Sequence, residues 1–181
     1  MTGGTFGGMT EDPYRQRVKA NYKFSDWAGR PKEGDADARV TDVRVRPGEL
    51  KGWATEAEEE LPTAERQRRV VRYVLSPERG GARLVSTLFE CPSVADAHET
   101  LIDVVMTYMN PSLPRCEERG FEVGDVCFGS SGPATLLVLF ARLNVVVEIQ
   151  STAPEGGAVE ELARDLDSLI RGRHSTPDER A

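Results

Sequence analysis

The stretch "ATLLVLFA", Ala134–Ala141, decides the fold. A strand that shows one face to water alternates apolar and polar residues, but this one is apolar on both faces. It belongs inside a sheet that is covered from both sides. Turns bracket it: "GSSGP", Gly129–Pro133, comes before and "RLN", Arg142–Asn144, follows. Beyond the turns lie two more strand candidates, "FEVGDVCF" at 121–128 and "VVVEIQ" at 145–150. Short connections of this kind join antiparallel neighbours.

A second strand group lies upstream. "RVVRYVLS", from Arg69, alternates, with Val71, Tyr73 and Leu75 on one face and Val70, Arg72 and Val74 on the other. "PERGG" turns the chain, and "ARLVSTLFEC" returns with Val85, Thr87, Phe89 and Cys91 on one face. "RVTDVRVRP" alternates imperfectly through Val40, Val43 and Val45, which predicts a weak strand. The acidic "GELKGWATEAEEELPTAE" reads as a connection anchored by Trp53 and interrupted by Pro62.

Two helices follow these groups. In "PSVADAHETLIDVVMTYMNP", Ser93 and Asp96 form a capping box and Asn110-Pro111 is the stop. Its polar stripe is narrow, so the apolar arc from Leu101 to Met109 needs cover from the sheet and from either the N-terminal segment or another subunit. The second helix, about Ala158 to Arg171, carries a stripe of Val159, Leu162, Ala163, Leu166, Leu169 and Ile170. Its acidic start and basic end suit the helix dipole. The fold class is therefore α+β: an antiparallel sheet in ββα-βββα order covered by helices, either as an α/β/α sandwich, which the two-faced strand favours, or with both helices on one side.

The domain division puts a flexible N-terminal segment at 1–38, one α+β domain at 39–172 and a disordered tail at 173–181. Within the first segment a short helix is expected, with Thr10 as cap, Pro13 in its first turn and Tyr14, Val18 and Tyr22 on one face.

The net charge of −7 argues against general affinity for nucleic acid or anionic membranes. No apolar run reaches membrane-spanning length and the first residues lack a signal core, so the expectation is a cytoplasmic protein, exported only if a leader was removed. Cys91, Cys116 and Cys127 show no Cys-x-x-Cys spacing, and with His98 and His174 the sole histidines no metal site and no cofactor are expected. Three reduced thiols are expected, with one disulfide plus a free thiol as the alternative.

"VGDVCFG", "LLVLFARLNVVVEI" and "ELARDLDSLI" together resemble the closing half of the Mog1/PsbP-like group and related small bacterial lipoprotein domains. The matching positions are Gly124, Asp125, Phe128, Arg142, Asn144, Val145 to Val147 and Leu162 to Leu169, about 50 residues in all. The resemblance implies a fold whose members mostly bind or assemble. It brings no catalytic motif to carry over, and the missing leader departs from the lipoprotein pattern.

Candidate sites are weighed against architecture. Ser130 and Ser131 precede a strand, not a helix, and no lysine follows, so neither a nucleophile elbow nor a phosphate loop is present. Cys127, between Val126 and Phe128, reads as core. Cys116, in the basic "PRCEER" loop expected to be exposed, and His98 are the candidates for reactivity. Glu99 and Asp103, four apart, read as a solvated stripe. "YRQRVKANYKF", 14–24, interleaves four cations with aromatics and reads as a docking arm or intramolecular partner for an acidic patch such as "EAEEELPTAE", 56–65, or as a strip for single-stranded nucleic acid.

The expectation for function is a non-catalytic binding or assembly module for a protein partner, a second copy or a small ligand. Its interface candidates are Tyr14, Tyr22, Trp27, Trp53, Ile102, Val105, Met106 and Met109. The alternatives are a small enzyme using Cys116 or His98 in a pocket, and nucleic-acid binding through 14–24.

Overall fold

The computed structural model of the protein describes residues 12–34, 37–109 and 112–173. Six strands form one antiparallel sheet: β1 Trp53–Leu61, β2 Arg69–Pro77, β3 Leu84–Glu90, β4 Val126–Gly129, β5 Leu137–Arg142 and β6 Val145–Ser151, in the order β1-β2-β3-β6-β5-β4. Four helices accompany it: α1 Pro13–Asn21, α2 Phe24–Trp27, α3 Val94–Thr107 and α4 Val159–Arg173. Among the described residues no helix is long and apolar enough to cross a membrane.

The two-faced strand behaves as its composition demands. Val138 and Phe140 of β5 join the core under α4, while Leu137, Leu139 and Ala141 join the core under α3. The strand is buried along its whole length. β2 sends Val71, Tyr73 and Leu75 to the α4 side as its alternation requires, and Phe89 and Cys91 contribute to the α3 side. Helices therefore lie on both faces of an α+β sheet. Strand starts shift by a few residues: β5 begins at Leu137, and of 121–128 only Val126 onward is strand, although Phe121 and Val123 are buried.

Ser93 caps α3 by accepting the Asp96 N–H at 3.1 Å. The wide apolar arc of this helix is covered by β5 and β6 and by α1, which contributes Val18 and Tyr22. The N-terminal segment is thus the second cover. It docks through charge: Arg15 pairs with Glu99 at 2.6 Å and with Asp103, and Lys19 pairs with Glu99 at 2.9 Å. The arm's acidic partner is this pair on α3 rather than the expected 56–65 stretch, so Glu99 and Asp103 are ion-paired and not a merely solvated stripe. Asp12 caps α1; the expected cap, Thr10, lies outside the described residues, as does the expected tail apart from Arg173.

Two readings of the segments before β2 are corrected. Residues 40–45 do not join the sheet. They run as an extended strap whose Val40, Val43 and Val45 cover the α4 side of the sheet. The acidic connection is instead β1, the edge strand, paired with β2 from Trp53↔Pro77 to Leu61↔Val70. Seven of its nine residues are exposed, so burial puts no apolar alternation into its sequence. Its glutamates and a bulge between Thr55 and Ala57 guard an edge that could otherwise recruit another strand.

Candidate functional site

Tyr22 ends α1, and the backbone then turns through Lys23 in the left-handed region, φ 50°. That reversal launches the short α2 and swings Trp27 back beneath Tyr22. The indole Nε1–H donates to the Tyr22 carbonyl at 2.9 Å, which fixes the ring. Tyr22 and Trp27 both meet Phe128 of β4, at centroid distances of 4.8 and 5.9 Å. The three rings make an apolar floor.

Residues 112–115 form the facing wall. The Leu113 N–H donates to the Tyr22 hydroxyl at 2.8 Å, and the Gly129 N–H donates to the Pro114 carbonyl at 3.1 Å. Arg115 bridges to Phe128 in antiparallel fashion, and Cys116 and Cys127 are joined by a disulfide. The wall is thus tied to α1 at one end and to β4 at the other. Between floor and wall lies a cavity of about 440 Å³, within the range of small-molecule sites. Lys23, Asp26, Glu118 and Ser131 stand at its rim.

Arg115 is the polar group set deepest among these. Its guanidinium lies over the Phe128 ring at 5.2 Å, a cation–π arrangement. Its ion-pair contact, Nε to Glu117 at 3.6 Å, is longer than a hydrogen bond. Its Nη1 is buried with no hydrogen-bond partner.

Comparison of the chain with known protein families, with curated proteins and with solved structures gives no significant match.

The structure brings Tyr22 and Trp27 together in this cavity and places the other candidates elsewhere. Ile102 and Val105 are wholly buried in the chain's own α3-side core and are closed to a partner. Met106 is partly buried against the same core, and Met109 is 83% exposed at the end of the helix. Tyr14 is exposed on α1. Trp53 is buried on the α4 side, its indole N–H donating to Asp165 at 2.9 Å.

Cys116 is neither open nor reduced. It is buried and bonded to Cys127, which corrects the expectation of three reduced thiols and leaves no thiolate at either position. The remaining thiol, Cys91, is buried, and burial pushes it up to about 12. Among the described residues no cluster of metal-binding side chains forms. The basic strip does not present one surface either: Arg15 and Lys19 are engaged with α3, and Tyr22 is buried.

His98 is fully buried behind Trp27, its ring 5.3 Å from the indole. It accepts the Gly29 N–H on Nδ1 at 2.8 Å, while Nε2 has no partner. Burial lowers it to about 4, so it is neutral at pH 7 and does not line the cavity. The unfolded chain binds this proton near pH 6.5 and the native state only near 4, so stability is intact above the first value and falls toward the second. The loss attributable to His98 is roughly 3 kcal/mol. Urea unfolding of wild type and His98→Gln at pH 7, 5.5 and 4.5 checks this: wild type should lose the excess stability as pH falls, and equal slopes for the two proteins would refute it.

Arg115, Phe128, Leu113 and Ser131 escaped the sequence reading as site residues. The one available signal was an arginine and a phenylalanine each adjoining a cysteine, Arg115-Cys116 and Cys127-Phe128. Once those cysteines are joined, their neighbours are forced together.

Proposed function

We propose that the protein is a binding module whose ligand site is the cavity between the α1–α2 joint and residues 112–115. The observation that carries this is an aromatic floor of Tyr22, Trp27 and Phe128 beside an arginine short of partners, in a wall pinned at both ends. Arg115 lines the cavity with its side chain 35% exposed, so the open part of its guanidinium can meet a ligand there. The fixed rings and the tied wall favour a preformed site, which lowers the ordering cost of binding. The resemblance of the motifs between residues 123 and 170 to Mog1/PsbP-like domains is in keeping with a binding role. Cys116 in its disulfide and His98 in the core give the enzyme reading no side chain to act with at this cavity.

The neutral fluorescent probe N-phenyl-1-naphthylamine tests the reading without regard to charge. It should bind the native protein saturably at one site. Ser131→Trp, at an exposed rim position, should block the cavity and abolish the signal without changing the fold. Absence of saturable binding, or binding unaffected by Ser131→Trp, would refute the proposal.

A further inference from the structure

We infer that the ligand is a small carboxylic acid, seated by its carboxylate on Arg115 with a ring-sized apolar body against Trp27 and the Leu113–Pro114 wall. This rests on the reading of the cavity as a binding site. The class follows from what Arg115 has and lacks. A guanidinium offers five N–H donors in a planar fork, a geometry that a carboxylate matches with two parallel hydrogen bonds. Here the Glu117 contact is 3.6 Å and the side chain is 35% exposed at the wall, so the part of the fork that faces the cavity is open to a ligand.

Aromatic rings beside acids can also favour a cation, and Asp26 and Glu118 do stand at the rim. Two observations decide against it. The Phe128 face is already occupied by the chain's own cation, Arg115, which would repel a second. The rim carries Lys23 as well as the two acids, and all three are exposed and screened by solvent. The partly buried charge is the one that selects, because the local dielectric is lower there. A lone arginine with one cation at the rim suits a monoanion better than a phosphate dianion, which needs a cluster of cations.

The test is displacement of N-phenyl-1-naphthylamine by phenylacetate, 2-phenylethanol and phenethylamine, which share a body and differ in charge. In wild type, phenylacetate should displace the probe at about tenfold lower concentration than the alcohol, with the amine weakest. Arg115→Gln should erase the preference while still binding the neutral probe, which shows the cavity intact. Arg115→Lys, which keeps the charge and loses the fork, should retain only part of it. Equal displacement by all three, preference for the amine, or a preference that survives Arg115→Gln would overturn the carboxylate assignment and leave the cavity reading standing. Failure of the probe and of phenylacetate to bind at all would overturn both.

Discussion

Arg142→Ala should lower the unfolding free energy by about 3–5 kcal/mol, a large part of what a domain of this size has to lose. Arg142 lies at the end of β5, nearly inaccessible, and holds two buried carboxylates. It meets Asp167 of α4 in a bidentate pair, Nε to Oδ1 at 2.7 Å and Nη2 to Oδ2 at 2.9 Å, and it reaches Asp125 by Nη1 at 3.0 Å. Asp125 in turn accepts the N–H groups of Lys32 at 2.9 Å and Leu143 at 2.7 Å. One guanidinium thus joins α4, the end of β5 and the loop that follows α2. Gly124 makes the approach possible: its φ is +68°, and a Cβ there would come within 2.5 Å of the Ala141 carbonyl oxygen.

Removing the arginine strands two charges rather than deleting one contact. Burial already pushes the Asp125 carboxyl up, and without Arg142 it rises further. A raised carboxyl destabilises the native state while it is ionised, so the deficit of the variant should be largest near neutral pH and shrink as the solution is acidified. Urea unfolding at pH 7 and pH 5 reads both the size and the sign. The triple variant Arg142→Met, Asp125→Asn, Asp167→Leu should recover most of the loss, because an apolar replacement leaves no stranded charge. An Arg142→Ala protein within about 1 kcal/mol of wild type, the value of a surface pair, would contradict the account.

Asn144→Ala should cost about 3 kcal/mol or more. The Asn144 amide is wholly buried and makes three hydrogen bonds: Oδ1 accepts the Val40 N–H at 2.7 Å, and Nδ2 donates to the carbonyls of Val40 and Cys91, each at 2.9 Å. It stitches the 40–45 strap to the β5–β6 turn and to the end of β3. Alanine leaves three backbone groups buried and unpaired, each costing about 1–3 kcal/mol. Amide hydrogen exchange gives the local readout: Val40 should exchange far faster, and Val45, held by the Tyr73 hydroxyl at 2.9 Å, should follow as the strap loosens. Asn144→Asp should be no better than alanine, since a carboxylate cannot donate to two carbonyls. Unchanged protection at Val40 would show that the strap is held by its valines alone.

Arg142 and Asn144 each tie separate segments of the fold together. Their contacts give them a structural role in this protein. The sequence was legible where burial imposes a period. β5, β2 and α4 are buried on faces that repeat, and their apolar residues repeat with them. It was not legible for β1, whose exposed residues answer to an acidic edge rather than to a core. Nor was it for the strap, which buries valines without sheet pairing. The site was least legible of all. Its floor joins Tyr22 and Trp27 to Phe128, far away in sequence, and its wall depends on a disulfide whose pairing three cysteines alone do not specify.

The protein has only two tryptophans, and they report from opposite sides of the sheet, Trp27 at the cavity floor and Trp53 in the α4-side core, bonded to Asp165. The most direct test of the binding site is therefore a titration with phenylacetate followed by the two indole N–H resonances in ¹H–¹⁵N spectra. The Trp27 resonance should shift saturably, and the Trp53 resonance should stay in place. A Trp53 shift with Trp27 unmoved, or no saturable shift of either, would contradict it.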